Sequence, residues 1–207
     1  MSAIFSFFAG AGFLDLGFET SGFSIQYVNE LHEPFVKAYN HSRMLLKVTE
    51  PYYGYSNEDV AEFLGAKKRA DLSFMIKESK RQHGLVGFVG GPPCPDFSIG
   101  GKNKGKNGEN GKLTGTYFEL ICQQEPDFFL FENVEGLWRT RKHRAFYDGL
   151  KQKIQSSGYV LTERLINAIE YGVPQDRQRI ILIGFRKKLL WDVGIRVEGV
   201  LDEGMFP

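Results

Sequence analysis

The segment Ala3-Ile4-Phe5-Ser6-Phe7-Phe8-Ala9-Gly10-Ala11-Gly12-Phe13 decides the fold. Its opening run, Ala3 to Phe8, is almost wholly apolar and reads as a strand buried on both faces, as in a parallel sheet. Two glycines follow at once, and from Phe13 to Ser21 the apolar residues recur at helical spacing. A strand that passes through a glycine turn into a helix is the first βα unit of a doubly wound sheet, and ligands of such sheets sit at that turn. Glycine lets the backbone turn sharply and approach a ligand, while the free amides of the helix N-terminus offer donors to it. At the end of the next strand stands Glu30, twenty positions after Gly10, where a carboxylate can accept from ribose hydroxyls. The reading is a nucleoside-containing cofactor. Phe13 stands where a dinucleotide fingerprint would place its third glycine, which argues against a pyrophosphate ligand and so against a nicotinamide dehydrogenase.

Outward from this unit the same alternation continues. Strands are expected at Ser24 to Val28, Leu85 to Val89, Phe128 to Phe131, Tyr159 to Ile166 and Arg179 to Phe185. Helices are expected at Glu33 to Tyr39, Phe74 to His83 and Phe146 to Ser156, long enough to cross over between parallel strands. The fold class is α/β, a doubly wound, mostly parallel sheet. The stretch Arg43 to Asp71 carries no readable period, and Gly100 to Gly111, rich in Gly, Lys and Asn, reads as a surface loop. With 207 residues, 42% of them hydrophobic, the chain is sized for one catalytic and cofactor-binding domain, residues 1–207, with a full core. A net charge of +1 excludes a uniformly basic nucleic-acid binder, so any DNA contact falls to local clusters. Cys94 and Cys122 are the only cysteines and make neither a disulfide framework nor metal spacing, so no metal is expected. No basic leader precedes the first apolar run and no apolar stretch reaches about twenty residues, so the expectation is a cytoplasmic protein without a membrane partner.

Three further segments carry chemistry. Gly90-Gly91-Pro92-Pro93-Cys94-Pro95-Asp96-Phe97-Ser98 follows an apolar strand, and its prolines deny Cys94 a helix or a central strand, presenting one thiol rigidly at the sheet edge. Cys122, inside a helical pattern, reads as a buried inert thiol. Phe131-Glu132-Asn133-Val134 ends a strand in a carboxylate whose burial would let it carry a proton near neutral pH; capping a helix or pairing with an arginine is the plainer alternative. Pro174-Gln175-Asp176-Arg177-Gln178-Arg179 leads into the last strand, and on an extended chain Gln175, Arg177 and Arg179 would share one face.

Taken in order, these segments resemble the DNA cytosine-5 methyltransferase family, bacterial type, over almost the whole chain from Phe8 to near Phe185. The resemblance implies a seven-stranded sheet of the S-adenosylmethionine-dependent methyltransferase type. It implies Cys94 as the nucleophile, Glu132 as the acid at cytosine N3, and Arg179 as the contact to the base carbonyl and orienter of Glu132, with Arg177 in support. Phe8, Ala9, Gly10, Gly12, Phe13, Leu14, Glu30, Pro92 and Leu113 would line the S-adenosylmethionine site, which after reaction holds S-adenosylhomocysteine. Asp71 is preferred to Asp59 for the adenine amino group. Ser98, Asn133 and Gln175 would touch the flipped nucleotide. Pro95 replaces the glutamine common in the family. Members continue past the last strand with a target-recognition region and a final helix, whereas this sequence stops at Pro207, so both are expected to be missing. The implied partner is double-stranded DNA, bound by a monomer, with Lys102 to Lys106 and Arg139 to Arg144 as phosphate contacts. A tRNA cytosine-5 methyltransferase shares every catalytic motif, and a non-catalytic nucleic-acid-binding subunit is the remaining alternative.

Overall fold

Crowded β-branched and aromatic side chains cannot be exposed at acceptable cost, and each apolar run of the sequence becomes a strand whose side chains are buried. The computed structural model describes residues 1–93 and 109–196, the side chains of 109, 110 and 142 excepted. Two compact units divide the chain, Met1–Gly91 and Pro92–Pro207.

In the first unit the chain runs β1 (Ala3–Phe7), α1 (Phe13–Thr20), β2 (Ser24–Asn29), α2 (Glu33–Leu46), β3 (Tyr55–Ser56), a 3-10 turn (Val60–Leu64), α3 (Ala66–His83) and β4 (Val86–Gly90). The strand order is β3-β2-β1-β4, parallel throughout. Every residue of β1 and β4 is buried, which is what a parallel strand covered on both faces requires. Phe7 and Phe88 pack with ring centroids 4.9 Å apart, and Phe5, Tyr27 and Phe63 extend the cluster.

The second unit runs α4 (Glu109–Gln124), β5 (Phe128–Val134), α5 (Glu135–Arg139), α6 (Arg141–Ser156), β6 (Tyr159–Asn167), a 3-10 turn (Ala168–Tyr171), β7 (Gln178–Arg186) and α7 (Lys187–Asp192). Its strands are antiparallel in the order β5-β7-β6. Phe118, Phe129, Phe131, Tyr147 and Tyr159 are fully buried, and the Tyr159 hydroxyl donates to the Pro126 carbonyl at 2.6 Å. Seven strands, mostly parallel and joined by helices, make up the α/β sheet expected. Among the described residues no helix is long and apolar enough to cross a membrane.

Several elements depart from the sequence expectations. The two-residue β3 lies inside the stretch left unread, because two residues cannot show a period. There α2 also continues to Leu46 and α3 begins at Ala66, eight positions before the helix expected, its first turns being Lys- and Arg-rich and without an apolar stripe. Residues 109–111 of the expected surface loop instead start α4. Finally, β5 extends to Val134, so that Glu132 lies within the strand rather than after it.

Gly184 stands directly opposite Phe129 in the β5/β7 register, and a Cβ added there would run into the Phe129 ring. Gly184→Val is therefore expected to destabilise by roughly 1–3 kcal/mol. A lowered urea midpoint would register this, and Phe129→Leu in the same chain should recover part of it.

Candidate active site

In the first unit β1 hands the chain to a turn that only glycine accommodates easily. Gly10 and Gly12 sit at φ +56° and +88°, and Phe8, at +54°, shares the left-handed region with them. Gly12 caps α1, and a Cβ there would come within 2.6 Å of the Tyr39 ring, so both conformation and space demand glycine. At Gly10 an added Cβ meets nothing within 4 Å: the space beside the turn is open. The Gly10 amide donates to Glu30 Oε2 at 2.9 Å, and the His32 amide donates to Oε1 at 2.8 Å. Ala9 donates to the Asn29 carbonyl at 3.3 Å. Two backbone donors thus orient the Glu30 carboxylate and leave it acceptor capacity for further hydroxyls. Phe13, 83% exposed, opens α1, and Leu14 beside it is half-buried.

Behind the turn lies a polar chain that sequence reading missed. Asp15, 1% exposed, accepts from Ser6 Oγ and from the Tyr39 hydroxyl, each at 2.7 Å. Arg43 Nη1 approaches the same hydroxyl at 3.2 Å while its Nη2 pairs with Glu19 at 2.6 Å. Burial pushes the Asp15 carboxyl up to about 6, against the lowering effect of the two hydrogen bonds. Burial likewise pushes the Tyr39 hydroxyl far up, with Asp15 adding to it, so Tyr39 remains a donor. The signal available was two acids, Asp15 and Glu19, one helical turn apart in α1.

Because β4 ends at Gly90, opposite Phe7 of β1, the chain leaves β4 at the edge where the glycine turn stands. Gly91, Pro92 and Pro93 follow; Cys94 and Ser98, like Lys102 to Lys106, lie outside the described residues.

In the second unit, β5 alternates. Phe129, Phe131 and Asn133 are buried, and Leu130, Glu132 and Val134 face the other, partly exposed side. Glu132 lies opposite Ile181 in the register, so Arg179, two residues earlier on β7, shares its face and sits diagonally across. The pair closes at 2.9 Å between Arg179 Nε and Glu132 Oε1, with side chains 23% and 28% exposed. Glu132 is thus ion-paired and only partly buried. Arg179 Nη1 also donates to the Gln178 carbonyl at 2.7 Å. On the opposite face Asn133, 2% exposed, donates through Nδ2 to the Pro92 carbonyl at 3.3 Å and accepts from the Val134 amide at 2.8 Å. The carboxamide therefore bonds the peptide two residues before Cys94.

Gln175 and Arg177 are exposed in a bend, because β7 begins only at Gln178. They do not share one face of a strand with Arg179. All three nevertheless line one surface depression of about 370 Å³ with Glu135, Asp176 and Gln178. Leu113 is half-buried in the first turns of α4. Asp71 is exposed within α3, whereas Asp59 lies three residues past β3 and caps the 3-10 turn by accepting from the Ala61 amide at 2.8 Å. The basic run at 139–144 divides: Arg139 and Arg141 are exposed, whereas Arg144 is paired with Asp148 and Glu163 and lies over the Trp138 ring. Cys122 is half-buried, accepts from Ser157 Oγ at 3.3 Å, and has its thiol pushed up by burial. Among the described residues no group of three or more His, Cys, Asp or Glu could hold a metal.

The family model for C-5 cytosine-specific DNA methylases matches residues 2–200. The chain belongs to that family. It is 56% identical to the type II methyltransferase M.NmeDI of Neisseria meningitidis serogroup C, over 97% of this chain and 49% of that protein. It is 36% identical to M.FnuDI of Fusobacterium nucleatum, over 90% of this chain and 47% of that one. Among solved structures, a prophage-encoded E. coli protein described as a DNA modification methyltransferase superposes with a TM-score of 0.67. The two are 25% identical, and the match covers 91% of this chain and 47% of that one. The chain spans about half the length of the curated relatives it matches.

Two outcomes follow for this C-5 cytosine methylase chain. Asp15 has its folded-state pKa raised from 3.8 to about 6, so the folded protein keeps a proton that the unfolded chain sheds. The associated stability is present below about pH 4 and is lost as pH rises through 6, a change on the order of 3 kcal/mol. Urea unfolding from pH 4 to 7 should show this component in the parent chain and lack it in Asp15→Asn. Gly12→Ala combines a positive φ with the Tyr39 contact. By calorimetric titration it should bind S-adenosylmethionine at least about tenfold more weakly, a loss of roughly 1.4 kcal/mol.

Proposed function

We propose that this chain carries the catalytic residues of an enzyme that methylates carbon 5 of a flipped-out cytosine in duplex DNA. The observation that supports this reading most directly is the Glu132–Arg179 pair at 2.9 Å. A ring that takes up electron density as a thiolate adds at C6 needs an acidic group near N3 and a fixed cation beside it, and this pair brings a carboxyl group and a guanidinium together. Bound S-adenosylmethionine would supply an electrophilic methyl group, and the residues about the glycine turn fit it. Open space flanks Gly10, the helix offers free amides, and Glu30 is oriented by two backbone donors toward ribose hydroxyls. For the adenine amino group we favour Asp59, just past β3, over Asp71, which lies within α3.

Each residue then has one task. The thiolate of Cys94 adds to cytosine C6, which makes C5 nucleophilic; once C5 is methylated, loss of its proton to solvent and β-elimination of the thiolate restore the ring and free Cys94. Glu132 delivers a proton to N3 as charge enters the ring, and Arg179 offsets charge at the carbonyl oxygen and aims the Glu132 carboxyl. Arg177 and Gln175 support the base or its phosphate, and Asn133, through Pro92, holds the loop that presents Cys94. Flipping costs a few kcal/mol, which contacts to the opened duplex would offset. Exposed Arg141 is a candidate for these; Arg139, which reaches Glu135 and Gln178, and Arg144, which pairs with Asp148 and Glu163, are already engaged. The working form is a cytoplasmic monomer.

Incubation with 5-fluorocytosine duplex DNA and S-adenosylmethionine should give a denaturant-stable adduct, and Cys94→Ser should give none. Transfer to tRNA in preference to duplex DNA would overturn the choice of polymer. Glu132→Gln keeps the shape but not the proton, and kcat should fall by about 10²–10⁴-fold in a methyl-transfer assay.

A further inference from the structure

Pro174 to Arg177 carry the proposed base-contacting side chains, yet little holds this bend in place. All four residues are exposed and belong to no helix or strand, so neither apolar burial nor a ladder defines their path. What does is one side chain at the end of β6. Asn167 pairs with Gln178 in the β6/β7 register, at the point where the bend joins β7. Its Oδ1 accepts from the Ile169 amide at 3.2 Å and from the Arg177 amide at 3.1 Å, and its Nδ2 donates to Asp176 Oδ1 at 2.8 Å. The Ala168 amide donates to the Arg177 carbonyl at 3.1 Å, and Glu170 reaches back to the Asn167 amide at 3.3 Å, closing a capping box. The Arg177 peptide is thereby held at both its N–H and its C=O.

We infer that Asn167 is a positioning residue for the arginine segment, its one carboxamide fixing the bend that carries Arg177 toward the flipped base and leads into β7. The inference rests on the proposed function. The residue type follows from the geometry: the position needs an acceptor for two amides and a donor to a carboxylate from one short side chain. Aspartate keeps the first and loses the second, setting a negative charge against Asp176, and serine offers too short a reach.

The test compares Asn167→Ala, Asn167→Asp and the exchange pair Asn167→Asp with Asp176→Asn, in the intact protein. The exchange pair restores a donor and an acceptor with their roles reversed. Asn167→Ala and Asn167→Asp should lower kcat for duplex DNA by roughly ten- to a hundredfold, the scale of a catalytic group displaced by about an ångström. Affinity for S-adenosylmethionine should be unchanged, which a merely unfolded variant would not preserve. The exchange pair should recover most of kcat. Amide exchange at Arg177, read without turnover, should accelerate in the alanine variant. Parent-like kcat or parent-like Arg177 exchange in Asn167→Ala, or an exchange pair no better than Asn167→Asp alone, overturns the inference. Should the parent protein methylate neither polymer, the proposed function falls, and slow Arg177 exchange lost in Asn167→Ala would still establish the fastening.

Discussion

The register of β5 against β7 is the constraint on which the site depends. A carboxylate and a guanidinium on neighbouring antiparallel strands meet only if both side chains emerge on one face and the strands stand at the right offset. Here Glu132 opposes Ile181 and Arg179 lies diagonally across. A slip of one residue would turn Glu132 toward Phe118 and Tyr147, where Phe131 now packs, and bring Asn133 out to the arginine. The aromatic residues on the buried face enforce the correct offset, because each large ring misplaced into water forfeits roughly 1.5–3 kcal/mol of burial. Core packing in the second unit and the chemistry of its exposed face are thus two readings of a single alternation.

The first unit depends on a different device. Its turn holds three residues at positive φ, a conformation disfavoured for Phe8 in particular. The bonds from Gly10 to Glu30 and from Ala9 to Asn29 tie the turn to the end of β2, and Tyr39 fills the space against Gly12. Tyr39 is itself held by Asp15, a carboxylate kept out of water at a cost in stability near neutral pH. Such expense is common where a backbone must be held for a ligand rather than for the fold alone.

Much of this was legible in the residues. The apolar runs located six of the seven strands, since burial on both faces of a parallel strand leaves a continuous signature, and Gly10, Gly12 and Glu30 announced the turn. That Glu132 and Arg179 act as a pair followed only from the family resemblance, and the register of β5 and β7 brings them together. The two-residue β3 and the polar start of α3 carried no period to read. Asn167 did carry a signal, Asn followed by Glu170 three positions on, the sign of a capping box; reading it would have located a turn, not an anchor for Arg177.

By itself, then, the sequence determined the α/β class, the strand-to-helix turn, the family and the residue types able to do the chemistry, because these are set by local composition and spacing. Tertiary structure alone decided which partners those residues have. Arg179 reaching Glu132, Asn133 bonding the Pro92 carbonyl, Arg144 being consumed by Asp148 and Glu163, and Asn167 clasping the arginine bend all follow from strand register and helix packing. Those bring together atoms far apart along the chain, and no local pattern encodes a distance in space.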